Sequence, residues 1–269
     1  MKFHGLGDRM KAYEESYKTH TMPLIPTLAR VDGRSFHNFC SGLKKPFDER
    51  LSAAMIHTAM HLAKETNASM TYTQSDEITL CWLSTNPKSQ IWFNGNHSKM
   101  VSQIAALASL VFYKKCLEIL PEQACKLPSF DGRVWQVPNK EEAANAFLWR
   151  ELDATKNSIS SAAYSHFSHT ELLGEKSSQK LERLYAKGIT WEEYPIAFKR
   201  GVYIQKRIVS RNYTTSELAK LPPLHLARKN PNLTILRAEW RILNIPPLRK
   251  ISNREDVIFS GDEPLVAEN

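Results

Sequence analysis

Polar and apolar residues alternate along residues 25–31, and this period of two predicts a β-strand. If the strand continues to residue 32, the alternation places Leu28, Arg30 and Asp32 on one face. A guanidinium and a carboxylate on the same face, at the end of a strand, suit a site that binds phosphate and a metal ion together.

Two longer segments have apolar residues at helical spacing. The first follows Asp48, a residue type that commonly caps helices, and the second covers residues 98–120. The apolar positions of the first are Leu51, Met55, Ala59 and Leu62. Because these positions share one face, that helix is expected to lie on a sheet.

Three further strands complete a recognisable order of elements. Residues 70–74 and 78–83 are typical of a β-hairpin with residues 75–77 at its turn, and residues 130–137 predict a fourth strand. The order β-α-β-β-α-β is that of a split βαβ, ferredoxin-like unit. We therefore predict an α+β fold: an antiparallel sheet with helices, followed by helical C-terminal additions.

The pattern continues beyond residue 138. Asn139 begins a capping-box-like start to a helix that runs through residues 149–153. A second helix, around residues 181–184, is expected to end at Gly188, and residues 202–205 predict a further strand. The remaining tail is rich in proline and is expected to be irregular.

Two acidic motifs carry the candidate chemistry, Arg-Val-Asp-Gly-Arg-Ser-Phe-His at residues 30–37 and Tyr-Thr-Gln-Ser-Asp-Glu-Ile at residues 72–78. In a ferredoxin-like arrangement the end of the first strand meets the tip of the hairpin, so Asp32 and Asp76 are expected to converge. Two neighbouring carboxylates suit a pair of Mg²⁺ ions, because Mg²⁺ needs few protein ligands when substrate phosphates supply the others. The Gly33 carbonyl adds an accessible oxygen.

The alternative interpretation is that these motifs are purely structural, since Asp-Gly and Ser-Asp pairs commonly form turns. It explains either motif alone, and their coincidence at matching strand ends favours the metal site. Glu77 is ambiguous, because neighbouring side chains in a strand point to opposite faces. It is a supporting or catalytic group, or a solvated hairpin residue.

The chain carries 36 basic and 28 acidic residues, a net charge of +8. From residue 213 onward there are 8 basic and 7 acidic residues, so seven of the eight net charges lie in residues 1–212, with the motifs. RNA would explain this excess, and so would a basic, soluble surface. Candidate phosphate or RNA contacts are Lys44, Lys45, Lys99, Arg150, Lys156, Lys199, Arg200, Lys206 and Arg207. Trp135 and Trp149 are expected in the core, and His37 is either a base or phosphate contact or structural.

The remaining composition limits the class of protein. The four cysteines lack CxxC pairing, so we expect reduced thiols in a cytoplasmic protein and no zinc site. No apolar run approaches the roughly 20 residues of a membrane span, and the N-terminus lacks the apolar stretch of a signal peptide.

With these residues in place, the chain resembles the tRNA-histidine guanylyltransferases and their bacterial, archaeal and phage relatives, the 3′–5′ RNA polymerases. The resemblance covers about the first 205 residues. Its blocks are RVDGRSFH (30–37), KPFDERL (45–51), YTQSDEITL (72–80), FDGRVWQVPN (130–139), FLWRELDATKNS (147–158) and FKRG (198–201).

The resemblance implies a polymerase- or cyclase-type palm in a homotetramer that uses two Mg²⁺ ions. The 3′-hydroxyl of a nucleotide, GTP above all and ATP as a second substrate, would attack the activated 5′ end of a tRNA. It also suggests a division of the chain. Residues 1–140 form the catalytic palm, residues 141–212 a helical, tRNA-binding extension of the same domain, and residues 213–269 a tail that wraps the core.

The resemblance also assigns roles to residues. Asp32, the Gly33 carbonyl and Asp76 resemble the metal ligands, and Glu77 an essential acidic neighbour. The nucleotide-binding residues would be Asp32, Gly33, Arg34, Ser35, Phe36, His37, Ser75 and Asp76. Lys45 resembles a lysine of 5′ activation, and Lys99, with Arg30, would contact phosphates. The tRNA contacts would be Arg133, Arg150, Lys156, Asn157, Lys199 and Arg200.

Two departures modify this picture. Residues 155–158 read Thr-Lys-Asn-Ser where eukaryotic members carry His-Ile-Asn-Asn, and residues 93–97 lack the arginines usual before Lys99. Both move the chain toward the prokaryotic or phage-like branch, where templated repair of 5′-truncated tRNAs is an alternative main role. A nucleotide cyclase-like enzyme on the same palm and a non-catalytic RNA-binding protein are the rival hypotheses.

Overall fold

The protein folds around one six-stranded antiparallel sheet with the strand order β4-β1-β3-β2-β5-β6. The computed structural model describes residues 5–230 and 232–267. The strands are β1 (Thr27–Gly33), β2 (Met70–Gln74), β3 (Glu77–Trp82), β4 (Phe130–Gln136), β5 (Val202–Asn212) and β6 (Thr234–Leu243). The first four have the ferredoxin-like order, which confirms the predicted fold class.

Helices connect and cover these strands. They are α1 (Leu6–Glu15), α2 (Phe36–Phe39), α3 (Glu49–Thr66), α4 (His97–Ile119), α5 (Pro121–Ala124), α6 (Lys140–Tyr164), α7 (Ser177–Ala186), α8 (Ile196–Arg200), α9 (Thr215–Lys220), α10 (Leu226–Lys229) and α11 (Arg254–Phe259). Short 3-10 turns lie at Trp92–Gly95, Trp191–Glu193 and Leu248–Lys250.

The helix starts follow the predicted capping chemistry. The Asp48 side chain accepts a hydrogen bond from the Arg50 N–H at the start of α3 (3.0 Å). Asn139 accepts one from the Glu142 N–H at the start of α6 (2.8 Å). Such caps satisfy N–H groups that the first helical turn leaves without a partner, and so they fix where each helix begins.

The two faces of the sheet bury separate cores. Helices α3 and α4, the two crossover connections of the ferredoxin-like unit, cover the face that carries Ala29 and Val31. Helix α6 and the C-terminal segment around α11 cover the other face, where Leu28 packs with Phe147 and Val257. Because successive side chains of a strand point to opposite faces of the sheet, β1 contributes Ala29 and Val31 to one core and Leu28 to the other.

Two expectations need correction. Helix α4 is long and apolar enough to span a membrane by length and composition, contrary to the expectation that no such stretch exists. It packs on α3 and β4 with Ile104 and Phe112 fully buried. The tail is not irregular either, since β6 forms a ten-residue ladder with β5. The prolines of the tail lie outside residues 234–243 of the sequence, at positions 222, 223, 231, 246, 247 and 264, and therefore do not interrupt this strand.

Candidate active site

Three carboxylates form a row across one end of the sheet. Asp32 near the end of β1 is the direct partner of Glu77 on β3 and of Asp131 on β4. Directly paired residues of antiparallel strands share a face, so all three belong to the face covered by α6. Asp32 stands at the centre of this acidic row with 35 % of its side chain exposed, accessible to a ligand.

The chain leaves β1 by a turn that is fixed to the hairpin tip. The Gly33 N–H donates to the Asp76 carbonyl (3.1 Å), and the Arg34 N–H donates to the Ser129 carbonyl (2.9 Å). A Cβ atom at position 33 would lie 2.3 Å from the Phe36 ring, so the turn requires glycine here. The structure thus brings Asp32 and Asp76 together, as the topology predicts.

Asp76 occupies the turn of the β2–β3 hairpin. Ser75 has a left-handed backbone conformation, with φ +48°, and its hydroxyl donates to the Asp76 carboxylate (3.0 Å). Burial raises the pKa of Asp76, and the charge of Asp32 raises this pKa further. Asp76 in turn adds to the effect of burial on Cys40, whose pKa rises to about 11. A cation bound between Asp76 and Asp32 would offset the repulsion between their charges.

Glu77 is buried and faces α6. Arg150 donates two parallel hydrogen bonds to it, from Nε to Oε1 (2.7 Å) and from Nη2 to Oε2 (2.6 Å). Burial raises the pKa of Glu77, and the hydrogen bonds from Arg150 act in the opposite direction. Both carboxylate oxygens are used by Arg150, so Glu77 is a buried supporting group of the acidic row and not a solvated hairpin residue.

Two residues further from this end of the sheet, a row of basic side chains follows the acidic row. Arg30 on β1 is the direct partner of Arg133 on β4, and both share the face of Asp32. Arg133 Nη2 lies 3.8 Å from Asp32 and 3.5 Å from Asp131. Arg30 Nη1 is 4.0 Å from Glu77, and its Nε is buried without a hydrogen-bond partner.

Trp149 differs from its expected place in the core, since it is 55 % exposed. Helix α6 turns its neighbour Arg150 inward to Glu77, and this leaves Trp149 on the open side of the helix. The guanidinium of Arg150 lies 4.7 Å from the centre of the indole ring and that of Arg30 5.8 Å from it. Trp135, by contrast, is partly buried against the core.

The segment after Asp32 has one buried anchor among exposed residues. Phe36 packs against Phe39, Phe112 and Phe130, with ring centroids 5.0 to 5.4 Å apart. The exposed neighbours are Arg34, Ser35 and His37. The aromatic cluster holds the segment near Asp32, while the polar side chains of the segment face solvent.

The two predicted phosphate-binding lysines lie at different ends of the molecule. Lys45 is exposed and precedes Pro46, which lines a cavity of about 200 Å³ together with Ser75 of the hairpin tip. Lys99 lies in the first turn of α4, which begins near Trp82, at the end of β3 remote from Glu77. It lines a separate cleft of about 1000 Å³, so one chain does not bring Lys99 to the acidic row.

The predicted tRNA contacts are also dispersed. Lys156 is exposed, whereas Asn157 lines the cavity beside Ser75. Arg200 lies 3.7 Å from the buried Glu151, and Lys199 donates to the carbonyl of Glu192. Arg133 and Arg150 belong to the acidic end of the sheet, as described above. These residues therefore do not form one continuous open track.

The oxygen donors at the site fit a hard divalent cation. Asp32 and Asp76 supply carboxylates, and Gly33 lies between them in the turn. Within residues 5–230 and 232–267 no group of three or more His, Cys, Asp or Glu side chains has the geometry of a metal cage. A site with two carboxylates suits Mg²⁺, which retains waters and takes further oxygens from substrate phosphates.

Sequence reasoning missed Asp131 and the open face of Trp149. Asp131-Gly132 repeats the Asp32-Gly33 pair on the neighbouring strand, which was a usable signal. The exposure of Trp149 depends on how α6, a helix of 25 residues, is rotated about its own axis. Its sequence has polar and apolar residues on both sides, so the sequence alone does not predict that rotation.

A ferredoxin-like palm with one carboxylate near the end of its first strand and another at its hairpin tip is the scaffold expected of enzymes that transfer or cyclise nucleotides. The particular group follows from comparison with known proteins: the chain belongs to the tRNAHis guanylyltransferase family (Thg1), whose family model matches residues 7–138. A bacterial tRNA(His) guanylyltransferase (Thg1)-like protein solved in complex with ATP is 31 % identical, with a TM-score of 0.77 over 95 % of this chain and 99 % of that one.

Further relatives agree with this assignment. The tRNA(His) guanylyltransferase of Schizosaccharomyces pombe is 28 % identical over 70 % of this chain and 76 % of that protein. An uncharacterized protein of Acanthamoeba polyphaga mimivirus, R259, is 29 % identical over 76 % and 78 %. The Saccharomyces cerevisiae enzyme shares the fold, with a TM-score of 0.63 over 71 % of this chain and 90 % of that one.

Proposed function

We propose that this protein is a Mg²⁺-dependent nucleotidyltransferase that adds nucleotides to the 5′ end of tRNA in the 3′–5′ direction. GTP is the expected nucleotide, and ATP a second substrate. The observation that carries the proposal is the hydrogen bond between the Gly33 N–H and the Asp76 backbone carbonyl, because it joins the end of β1 to the hairpin tip and so makes Asp32 and Asp76 neighbours. Structures of the bacterial relative with ATP and with GTP support nucleotide binding at such a fold.

In the proposed reaction the 3′-hydroxyl of the incoming nucleotide attacks the phosphorus that is bonded to the 5′ oxygen of the RNA, the α-phosphorus of its activated end. The new phosphodiester bond replaces the bond to pyrophosphate or AMP, which leaves. Bound Mg²⁺ would neutralise the phosphates and lower the pKa of the attacking hydroxyl. Asp32 and Asp76 would hold the ions, and residues 33–37 with Ser75 would orient the nucleotide.

The neighbouring residues have supporting roles. Arg30 and Arg133 place two guanidinium groups directly behind the acidic row, where they would attract and orient a polyanion. Arg150 keeps Glu77 directed away from Asp76, so Asp32 and Asp76 remain free for metal. Lys45, exposed near the hairpin tip, would contact the phosphate activated at the 5′ end.

Templated repair of truncated tRNA is the second candidate. The bacterial Thg1-like protein aligns over 95 % of this chain, against 71 % for the yeast enzyme. The Thr-Lys-Asn-Ser segment at residues 155–158 departs from the eukaryotic pattern as well. Both observations favour the prokaryotic or phage-like branch of the family, in which nucleotides are expected to be added to truncated tRNA by pairing with a template base. The homotetramer and the cytoplasmic location belong to the same proposal.

A 5′-extension assay tests these functions. Purified protein with Mg²⁺ is given tRNAHis or a 5′-truncated tRNA, and each nucleoside triphosphate separately. Template-matched addition to the truncated tRNA identifies a repair polymerase, and addition of G to tRNAHis alone identifies a dedicated guanylyltransferase. Absence of transfer to either RNA, with cyclic nucleotide formed from GTP or ATP, would instead establish the cyclase alternative.

A further inference from the structure

An open groove runs along the edge of the sheet between β4 and α6, with a volume of about 470 Å³. One wall is a single face of α6, formed by Glu142, Asn145, Ala146 and Trp149 at helical spacing. The floor comes from β1, β4 and the residue after β4: Arg30, Arg133, Trp135 and Val137. The groove begins directly behind Asp32.

The strand register arranges the floor by chemistry. Behind the acidic row lies the pair of Arg30 and Arg133, and behind it lies Trp135, whose strand partner Leu28 is fully buried. Successive rows on one face are about 7 Å apart, because two residues separate them along a strand. A ligand lying along this floor meets the carboxylates first, then the guanidinium groups and then an apolar surface. The carboxylates suit a phosphate bound through metal, the guanidinium groups suit a backbone phosphate, and the apolar surface suits a nucleobase.

Trp149 supplies an exposed aromatic surface at this groove. It is 55 % exposed, although Arg150 and Arg30 lie over its ring. The ring is held by these contacts, so little side-chain freedom remains to be lost when a base stacks on it. Single-stranded RNA is commonly bound by bases stacked on aromatic side chains beside a basic backbone contact.

The guanidinium groups have capacity left for phosphate. Arg30 Nε has no hydrogen-bond partner, and the ion pairs of Arg133 are 3.5 and 3.8 Å long with about half of its side chain exposed. One acidic residue, Glu142, lines the groove against these two arginines. The groove is therefore basic next to Asp32.

We propose that this groove binds the first nucleotide of the RNA 5′ end, with its base stacked on Trp149, its 5′ phosphates at the acidic row, and the backbone phosphate that follows it at Arg30 and Arg133. This inference rests on the proposed function, because it assigns one of the two substrates of that reaction. The two faces of the sheet separate the substrates: the segment after Gly33 packs through Phe36 on the face covered by α3 and α4, whereas the groove lies against α6. An open groove also lets the polynucleotide continue outward, which a free nucleotide does not need.

The test compares Trp149→Ala and Trp149→Phe with the wild type. Leu152→Ala is the matched control, an exposed apolar residue of the same helix that does not line the groove. Circular dichroism first verifies that all variants fold. Dissociation constants are then measured for two synthetic 5′-triphosphorylated tRNAs, one with an intact and one with an abasic first nucleotide, and for free GTP.

We expect Trp149→Ala to weaken binding of the intact RNA about fivefold or more, the effect of losing one stacked base. Trp149→Phe should retain most of the affinity, Leu152→Ala should resemble the wild type, and GTP binding should not change. The abasic RNA should bind the wild type and Trp149→Ala equally. Equal weakening for intact and abasic RNA, or weakening confined to GTP, would overturn the groove assignment.

The two proposals fail in different ways. If the wild type transfers no nucleotide but still loses affinity for the intact RNA through Trp149→Ala, the groove assignment holds and the proposed reaction is wrong. If the wild type extends tRNA and Trp149→Ala leaves both the RNA affinity and the KM for RNA unchanged, the groove assignment alone is wrong.

Discussion

Arg150 and Glu77 form a buried pair with two parallel hydrogen bonds, one to each carboxylate oxygen. The pair joins α6 to β3 directly beside Asp32, the partner of Glu77 across the ladder. Its geometry links the stability of the fold to the shape of the site, because Glu77, which α6 holds through Arg150, is paired with Asp32 across the ladder.

Removing one member of this pair should destabilise the fold strongly. Arg150→Met would leave the Glu77 charge buried without its partner, at a cost of about 3–5 kcal/mol. Denaturant unfolding measures this loss. The double variant Arg150→Met with Glu77→Gln should recover a large part of it, because position 77 then no longer carries a buried charge. A double variant as unstable as the sum of the singles would show that the two residues do not interact.

Asp76→Asn should abolish transfer while RNA affinity stays nearly unchanged. Loss of a group that stabilises charge in the transition state lowers the rate by about 10³-fold, whereas phosphate contacts are spread over many basic side chains. Single-turnover extension and RNA dissociation constants test this, with Asp262→Asn, an exposed C-terminal position, as the control. A parallel fall in rate and RNA affinity would count against a metal role for Asp76.

Gly33→Ala should destabilise the protein because its Cβ would lie 2.3 Å from the Phe36 ring. Relief requires movement of the aromatic cluster or of the turn, and overpacking of this kind costs about 1–3 kcal/mol. Gly7→Ala is a suitable control, since the same atom there meets nothing within 4 Å and the site is helical. The readout is the midpoint of thermal unfolding, and an unshifted midpoint for Gly33→Ala would refute the packing argument.

Lys45→Ala should separate two kinds of 5′ end. If Lys45 contacts the phosphate that is activated, its loss impairs reactions on monophosphorylated RNA more than those on triphosphorylated RNA, which needs no activation. Rates on the two RNAs are compared for this variant and for Lys64→Ala, an exposed lysine on α3. Equal impairment on both RNAs would argue against an activation role.

Glu217 should make the base of α9 sensitive to acid. Hydrogen bonds from Arg211 above all, and from the Thr214 N–H, hold the pKa of Glu217 well below its ordinary value of 4.5. A lowered pKa in the folded state means that this contribution to stability is present above pH 4.5 and is lost as the pH falls toward the folded-state pKa. Hydrogen-exchange protection of residues 213–220, corrected for intrinsic rates, should therefore fall with acidification.

In Glu217→Gln that protection should already be lower at neutral pH and should depend less on acidification. Glu182→Gln, an exposed position on α7, provides the comparison and should behave as the wild type. Identical pH dependence in Glu217→Gln and wild type would eliminate this carboxylate as the cause.

Local chemistry made much of the palm predictable. The bounds of β2 agree with the predicted residues 70–74, and the caps at Asp48 and Asn139 begin α3 and α6 as expected. These features depend on residues within a few positions of one another. The meeting of Asp32 and Asp76 was also predictable, since the ferredoxin-like order alone determines which strand ends are neighbours.

Features set by distant residues were not predictable. Arg150 and Glu77 are separated by 73 positions, and nothing local in the sequence specifies that they pair. Strand β6 becomes a strand by pairing with β5, although its flanking prolines suggested an irregular tail. The remaining site assignments, including those of Lys99 and the tRNA contacts, stay predictions.

The position of β1 between two antiparallel partners limits how this protein can vary. Every residue from Thr27 to Asp32 is paired on both sides, so the strand has no free edge along which to slide. Deleting one residue would turn Arg30 and Asp32 toward the apolar core and bring Ala29 and Val31 into the rows of charge. Homologues can therefore exchange side chains around the site and lengthen their loops, but a change in the length of β1 would remove the site and the fold together.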